Sequence, residues 1–296
     1  MKTDVEAYLK SAGFRFGTSP ARLDRLFHKS LNKEGKALFE LYSESAQSGI
    51  SDIQDVFQIP QSAKQAALLL SQDVNRSVAS MEWICSVLKD QSPGTAIDIG
   101  CGAGFSLDYF SKRFTRFSFE GLESQTNLAS IASELTGFNI WNMNYLHKLP
   151  EKTYDYIICE FGWNSSDIND APPPHQLRVI DEYQICAGCT GAAENSFHKM
   201  LESWTSIMSD IGKIIVTGRL RHIGDTIAFL NAANSCGLQS SNELNNFIYW
   251  SRSKEFERTP ALVLVKGETK TESEIVETAV KLYKRAKHKN RGLPAD

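Results

Sequence analysis

The sequence predicts an α/β fold: a doubly wound, mainly parallel seven-stranded sheet that ends in an antiparallel hairpin, preceded by an N-terminal helical subdomain. Three observations predict it. From Thr95 onward, short apolar or β-branched runs alternate with helical stretches, the signature of a parallel sheet with crossover helices. Residues 1–90 hold no convincing strand. The last two strand-like runs are joined by a polar connector too short for a crossover helix, so they should pair antiparallel.

The elements follow in order. Leu31, Leu38, Leu41 and Tyr42 recur at helical spacing, and Val74, Val78, Met81, Cys85 and Leu88 make a cleaner stripe. Asp73 is placed to cap that last helix, which should stop before Gln91-Ser-Pro-Gly94. The first strand opens at Thr95, runs into a glycine turn, and gives way to a helix near Ser106. Further strands are expected at Phe117–Glu123, Phe138–Asn142 and Tyr154–Glu160. A long polar insertion, 163–194, precedes a helix at Asn195–Asp210 and a fifth strand at Lys213–Thr217, introduced by Gly212. A helix near Asp225–Ser235 should end at Gly237, as helices often do. The closing strands are Phe247–Trp250 and Ala261–Lys266, and 271–291 read as one more helix with a basic end. The expected organisation is therefore 1–90, a lid or partner-contacting helical piece; 91–267, the sheet domain; and 268–296, a basic tail.

Composition excludes several classes. With 42% hydrophobic and 23% charged residues, the chain has the balance of a soluble globular protein. A net charge of −3 gives no global drive toward nucleic acid or acidic membranes. No apolar run approaches a bilayer span, and the polar start Met1-Lys-Thr-Asp-Val-Glu is no signal peptide. The six scattered cysteines suit free thiols in a reducing compartment, so a cytoplasmic location is expected. Nothing in the sequence marks an oligomer interface.

The run Thr95-Ala-Ile-Asp-Ile-Gly-Cys-Gly-Ala-Gly-Phe105 carries the most chemistry. Asp98, Gly100, Gly102 and Gly104 stand two apart, so the turn has almost no bulk on a ligand side. Glycine permits positive φ and close approach of backbone N–H groups to a ligand. The following helix points its unpaired N–H donors at the same place. A dinucleotide fingerprint would put its third glycine where Phe105 stands, which argues against a pyrophosphate and against nicotinamide-dependent oxidoreduction. A carboxylate, Glu123, ends the second strand nineteen residues past Gly104. Such a group can accept both hydroxyls of a ribose. Alone, it would more readily be a solvated acid capping a helix at Ser124; its position relative to the glycine turn favours the ribose.

This D-x-G-x-G-x-G after a strand resembles the first motif of the class I S-adenosylmethionine-dependent methyltransferases, and the resemblance extends over roughly residues 90–267. It implies S-adenosyl-L-methionine as cofactor, held by the turn Gly100, Cys101, Gly102 and Gly104, with Glu123 on its ribose. It implies that Asp98 orients the turn or accepts from the cofactor's amino end. The adenine contact would fall on Asn144 or Tyr145, where the family more often has an aspartate. At the end of the fourth strand, Glu160 would meet the cofactor's methionine portion or the acceptor. Phe161 and Trp163 would line an apolar substrate wall, or simply pack the rim of the sheet. The Asn/Asp-Pro-Pro-aromatic motif of amino-directed DNA methylases is absent, and Pro172-Pro-Pro174 reads as a stiff piece of the insertion.

Methyl transfer from a sulfonium needs an aligned acceptor and an excluded solvent, and a base only where the acceptor must lose a proton. Candidate bases are Glu160, His175 and His222, each of which taken alone is more readily a surface or structural residue than a catalyst. Arg219 and Arg221 would hold an anionic acceptor, or form a solvated basic loop. Cys186-Ala-Gly-Cys189 is a C-x-x-C without a second pair at zinc spacing, so two free thiols in a loop-to-helix passage and no metal are expected. A shared metal with His175 or His198 is the alternative, as is a redox pair, which would sit at a helix start after a strand. The basic cluster Lys281, Lys284, Arg285, Lys287, Lys289 and Arg291 reads as a solvated helix face, since no aromatics interleave it. The expected partner is a small-molecule acceptor, with neither nucleic acid nor membrane. The alternatives are a protein or RNA methyltransferase, or a non-catalytic binding module of the same fold.

Overall fold

A computed structural model of the chain describes residues 3–48, 53–163, 175–218, 220, 222–252 and 255–289. Its central sheet is mostly parallel with an antiparallel end, and its strands follow the order β3-β2-β1-β4-β7-β10-β8, with β9 pairing β10. These strands are β1 (Gly94–Ile99), β2 (Phe117–Glu123), β3 (Ile140–Asn142), β4 (Tyr154–Glu160), β7 (Met208–Thr217), β8 (Leu238–Ser240), β9 (Asn246–Arg252) and β10 (Glu255–Lys266). A separate hairpin pairs β5 (Leu177–Ile180) with β6 (Tyr183–Cys186).

The chain forms two compact units, and β1 contributes to both: Gly94–Ile97 to the second and Asp98 onward to the first. The first unit contains residues 1–93, 98–144 and the tip of the β9–β10 hairpin, 250–255. Its helices are α1 (Asp4–Ser11), α2 (Pro20–Ser30), α3 (Lys33–Ser48), α4 (Ala63–Leu70), α5 (Val74–Leu88), α6 (Phe105–Arg113) and α7 (Thr126–Thr136). The N-terminal helices are fastened to α6 and α7 by specific contacts. Tyr8 donates to the buried Asp108 carboxylate at 2.7 Å, Phe14 meets Phe105 edge-on, and the Asn127 amide donates to the carbonyls of Phe57 and Pro60. Val5, Leu9, Phe14 and Met81 are buried in this unit, each contributing about 1.5–3 kcal/mol by removal from water. Asn75 of α5 ties the hairpin tip through the Ser251 carbonyl.

The second unit holds the insertion, the antiparallel end of the sheet, and helices α8 (Ala187–Ser206), α9 (Ile223–Ser235) and α10 (Glu272–Lys289). β4 pairs parallel with β7, and β10 pairs antiparallel with both β7 and β8. Their central residues, Ile157, Ile158, Ile214, Ile215, Leu262 and Val263, are fully buried, as expected of strands covered on both faces. Trp163 stacks on Phe229 at 5.9 Å and 16° and touches Phe197 and Trp204.

Several expectations need correction. Among the described residues the sheet has eight strands, one more than expected, because three-residue β8 is too short to show an alternating pattern. The insertion carries the β5–β6 hairpin, and α8 begins at Ala187, well before Asn195. Gly212 lies inside β7, which starts at Met208 and shifts register against β4 between Tyr154 and Tyr156. Leu38 and Leu41 are exposed (47% and 60%), so only part of the α3 stripe faces the core. Asp73 stands at the N-cap of α5 but makes no capping bond, pairing with Arg76 at 3.1 Å.

A glycine comparison tests the second-unit packing. A Cβ added at Gly218 would fall inside the Trp163 indole, whereas one at exposed Gly191 in α8 would meet nothing. In urea unfolding, Gly218→Ala should lose about 1–3 kcal/mol from overpacking. Gly191→Ala should gain about 0.5–1 kcal/mol from helix propensity.

Candidate functional site

The glycine turn connects the end of β1 to the start of α6, within the first unit. Gly100, Gly102 and Gly104 all adopt positive φ (72°, 55° and 81°), the region where L side chains are strained. They differ in what surrounds them. A Cβ at Gly104 would meet Ala132 of α7 at 2.9 Å, so this glycine allows close helix packing. A Cβ at Gly102 would meet nothing within 4 Å, so this glycine borders open space. The turn is tied to β2 by backbone bonds: the N–H groups of Gly100 and Cys101 both donate to the Leu122 carbonyl, at 2.8 and 3.1 Å.

Glu123 completes that link. Its Oε2 accepts from Gly102 N–H at 2.9 Å and its Oε1 from Gln125 N–H at 2.8 Å. The carboxylate is 7% exposed, and burial raises its pKa against the lowering effect of those backbone donors. Cys101 is pushed well above its ordinary range, first by burial and then by the charges of Asp98 and Glu123. Asp98 itself is buried at 1% exposure. Asn142 is a further residue of this cluster that sequence reasoning did not single out. Its amide donates to the carbonyls of Glu123 and Ser124, and its oxygen accepts from Thr126. Only its position at the end of β3 could have signalled it. The Leu122 carbonyl, being backbone, has no sequence signal at all.

Asn144 is exposed, as the last residue of this stretch of the first unit. Tyr145 is buried in the second unit, with its ring edge-on to Trp204 and its carbonyl accepting from Ser203. Glu160 ends β4 in register with Thr217. Phe161 follows at φ 54°, a left-handed conformation rare for an aromatic residue, and its N–H donates to Thr217 O at 2.8 Å. Trp163 lies in the aromatic cluster at 2% exposure. His222 is the N-cap of α9, in a reciprocal capping box with Asp225. Arg219 and Arg221, and the triple proline 172–174, lie outside the described residues.

The cysteine pair departs from the expected loop-to-helix passage. Cys186 is the last residue of β6 and the N-cap of α8, so the pair stands at a strand-to-helix junction. The Nδ1 of His175 lies 3.5 Å from Cys186 Sγ and 3.4 Å from Cys189 Sγ. His198 is instead placed beside Cys236, at 3.5 Å. The Cys189 N–H, His175 and the Gln176 N–H together draw the Cys186 thiol down to about 6, while its proximity raises Cys189.

No protein-family model matches the chain, and no curated protein matches its sequence. Among solved structures, the chain is similar to the O-methyltransferase of a trans-AT polyketide synthase multienzyme from Brevibacillus brevis, in complex with S-adenosyl-L-homocysteine. That likeness has 11% identity and a TM-score of 0.47, over 73% of this chain and 82% of that one. It is similar to magnesium protoporphyrin IX methyltransferase from Synechocystis with bound SAM, at 11% identity and a TM-score of 0.41, over 86% of this chain and all of that one. It is also similar to TrmN from Thermus thermophilus, at 11% identity and a TM-score of 0.42, over 63% of this chain. There the chain spans about half the other's length, 48%. At these identities and TM-scores the likenesses assign neither donor nor acceptor.

The raised Glu123 value fixes the sign of a pH effect. A carboxyl with a folded pKa above its ordinary 4.5 contributes stability that is fully present below 4.5 and is lost as pH rises through the folded value. Urea midpoints measured from neutral pH down to 4.5 should therefore shift in favour of wild type over Glu123→Gln as the solution is acidified.

Proposed function

We propose that the chain is an S-adenosylmethionine-dependent methyltransferase acting on a small-molecule acceptor. The observation that carries this reading is the positive-φ glycine turn at the end of β1, open at Gly102 and clamped by a buried carboxylate from the end of β2. Those residues fit the cofactor. The open face at Gly102 admits a ligand against the backbone, and the Glu123 carboxylate that accepts from Gly102 N–H would take the hydroxyls of a ribose there. Asp98 would orient the turn, and Asn144 would serve the adenine edge. When bound, S-adenosylmethionine supplies an electrophilic methyl group on a sulfonium sulfur.

The work left to the protein is alignment and exclusion of water. With His222 engaged as a helix cap and His175 against two sulfurs, Glu160 is the remaining acidic or basic candidate on the acceptor side. A small-molecule acceptor is supported by the net charge of −3 and by the state of the basic C-terminal helix. There Lys281 pairs with Glu277, Lys284 with Asp181, and Arg285 donates to the Asn242 carbonyl. These three basic groups already have partners within the chain, which weakens the case for a phosphate-binding face at their positions.

Thermal unfolding with S-adenosylhomocysteine tests the reading. At about a hundredfold excess over Kd, the ligand should stabilise wild type by about 2.7 kcal/mol. Gly102→Ala should keep its fold, at a cost of about 1–2 kcal/mol for a left-handed alanine, and lose the ligand response. Gly104→Ala should instead be destabilised by its clash with Ala132. Affinity for wild type should fall as pH drops through the raised Glu123 value, the opposite sign to its folding contribution. An unchanged melting temperature at all ligand concentrations contradicts the proposal.

A further inference from the structure

We propose that His175, Cys186 and Cys189 bind one thiophilic divalent cation of the zinc type, holding three of its four coordination positions. The three ligand atoms lie within 4.8 Å of one another, and the imidazole nitrogen is 3.5 and 3.4 Å from the two sulfurs. A tetrahedral zinc with sulfur at about 2.3 Å and nitrogen at about 2.0 Å sets nitrogen–sulfur edges of about 3.5 Å. The imidazole nitrogen already stands at that spacing from both sulfurs.

The local fold holds the corners together. β5 and β6 pair so that Leu177 lies opposite Cys186, and Ala187 N–H donates to the Gln176 carbonyl at 2.8 Å. That register brings His175, just before β5, beside the cysteine that ends β6. Cys189 follows one helical turn later, in the first turn of α8. The N–H groups of Gln176 and Cys189 lie 3.4 and 3.5 Å from Cys186 Sγ, the kind of outer contact that supports metal-bound thiolates.

The donor set selects the ion. Two thiolates neutralise a divalent charge and the imidazole adds none, whereas calcium and magnesium would require oxygen ligands. On binding, each thiol forms a bond from sulfur to the cation and releases its proton to solvent. The Nδ1 atom of His175 offers its lone pair, so the ring proton resides on Nε2. A C-x-x-C at a helix start is also the arrangement of a redox dithiol. His175 separates the two, because a cation uses its nitrogen and a disulfide does not.

The full-length protein, reduced and stripped of metal, is titrated with cobalt(II) and then zinc. The expected result is one equivalent of tetrahedral cobalt with a thiolate-to-metal charge-transfer band, abolished by one equivalent of zinc. Cys186→Ser, Cys189→Ser and His175→Ala should each weaken zinc binding by more than about 100-fold, beyond the usual cost of losing an outer partner. Cys236→Ser should leave it unchanged. His175 is exposed, so His175→Ala should retain the wild-type circular dichroism spectrum. Three results would overturn the proposal: no cobalt band while both thiols titrate as reduced, zinc affinity unaffected in His175→Ala, or a Cys186–Cys189 disulfide that forms equally in wild type and His175→Ala with no cation bound. None of these depends on whether the chain transfers methyl groups.

Discussion

The hydrogen bond from Gly102 N–H to the Glu123 carboxylate is the constraint on which the first unit's chemistry depends. Together with the two N–H bonds onto the Leu122 carbonyl, it fixes the end of β1 against the end of β2. A carboxylate 7% exposed would be costly to ionise in an apolar setting, and the backbone donors of Gly102 and Gln125 offset part of that cost. In return the turn is held open at Gly102 with no side chain in the space beside it. The same carboxylate thus organises the turn, and in the proposed function it would also present acceptors to the ligand, coupling folding and binding to its protonation.

What was legible in the sequence is what period, glycine spacing and strand ends report. β1, β2, β4 and the pairing of β9 with β10 follow from apolar runs and connector length. The three-residue β8 and the short hairpin in the insertion were not legible, because so few residues carry no period and are specified by neighbours distant in sequence. The stripe through Leu38 and Leu41 misleads for a related reason. Helical spacing shows that residues share a face, and only the packing of α3 decides that part of this face meets solvent.

For side chains, the ambiguity of residue type was resolved by context. His222 and Trp163 both suit a site, yet their partners are a helix terminus and three aromatic rings. Phe161 gives a different lesson: its left-handed backbone is a strain of order 1–3 kcal/mol that the sequence does not reveal. The Cys186–Cys189 spacing was visible, while the approach of His175 to cysteines 11 and 14 positions away depends on the register of a hairpin. The sequence offered His175 or His198 as a third member beside the pair, and the hairpin register selects His175.

The central claim is that the turn at 98–104 receives the methyl donor, and amide hydrogen exchange tests it most directly. With saturating S-adenosylhomocysteine, the amides of Gly100–Gly104 and of Ser124–Thr126 should slow, while those of the β5–β6 hairpin should not change. Unchanged exchange at both segments, or slowing confined to another part of the chain, would contradict the account.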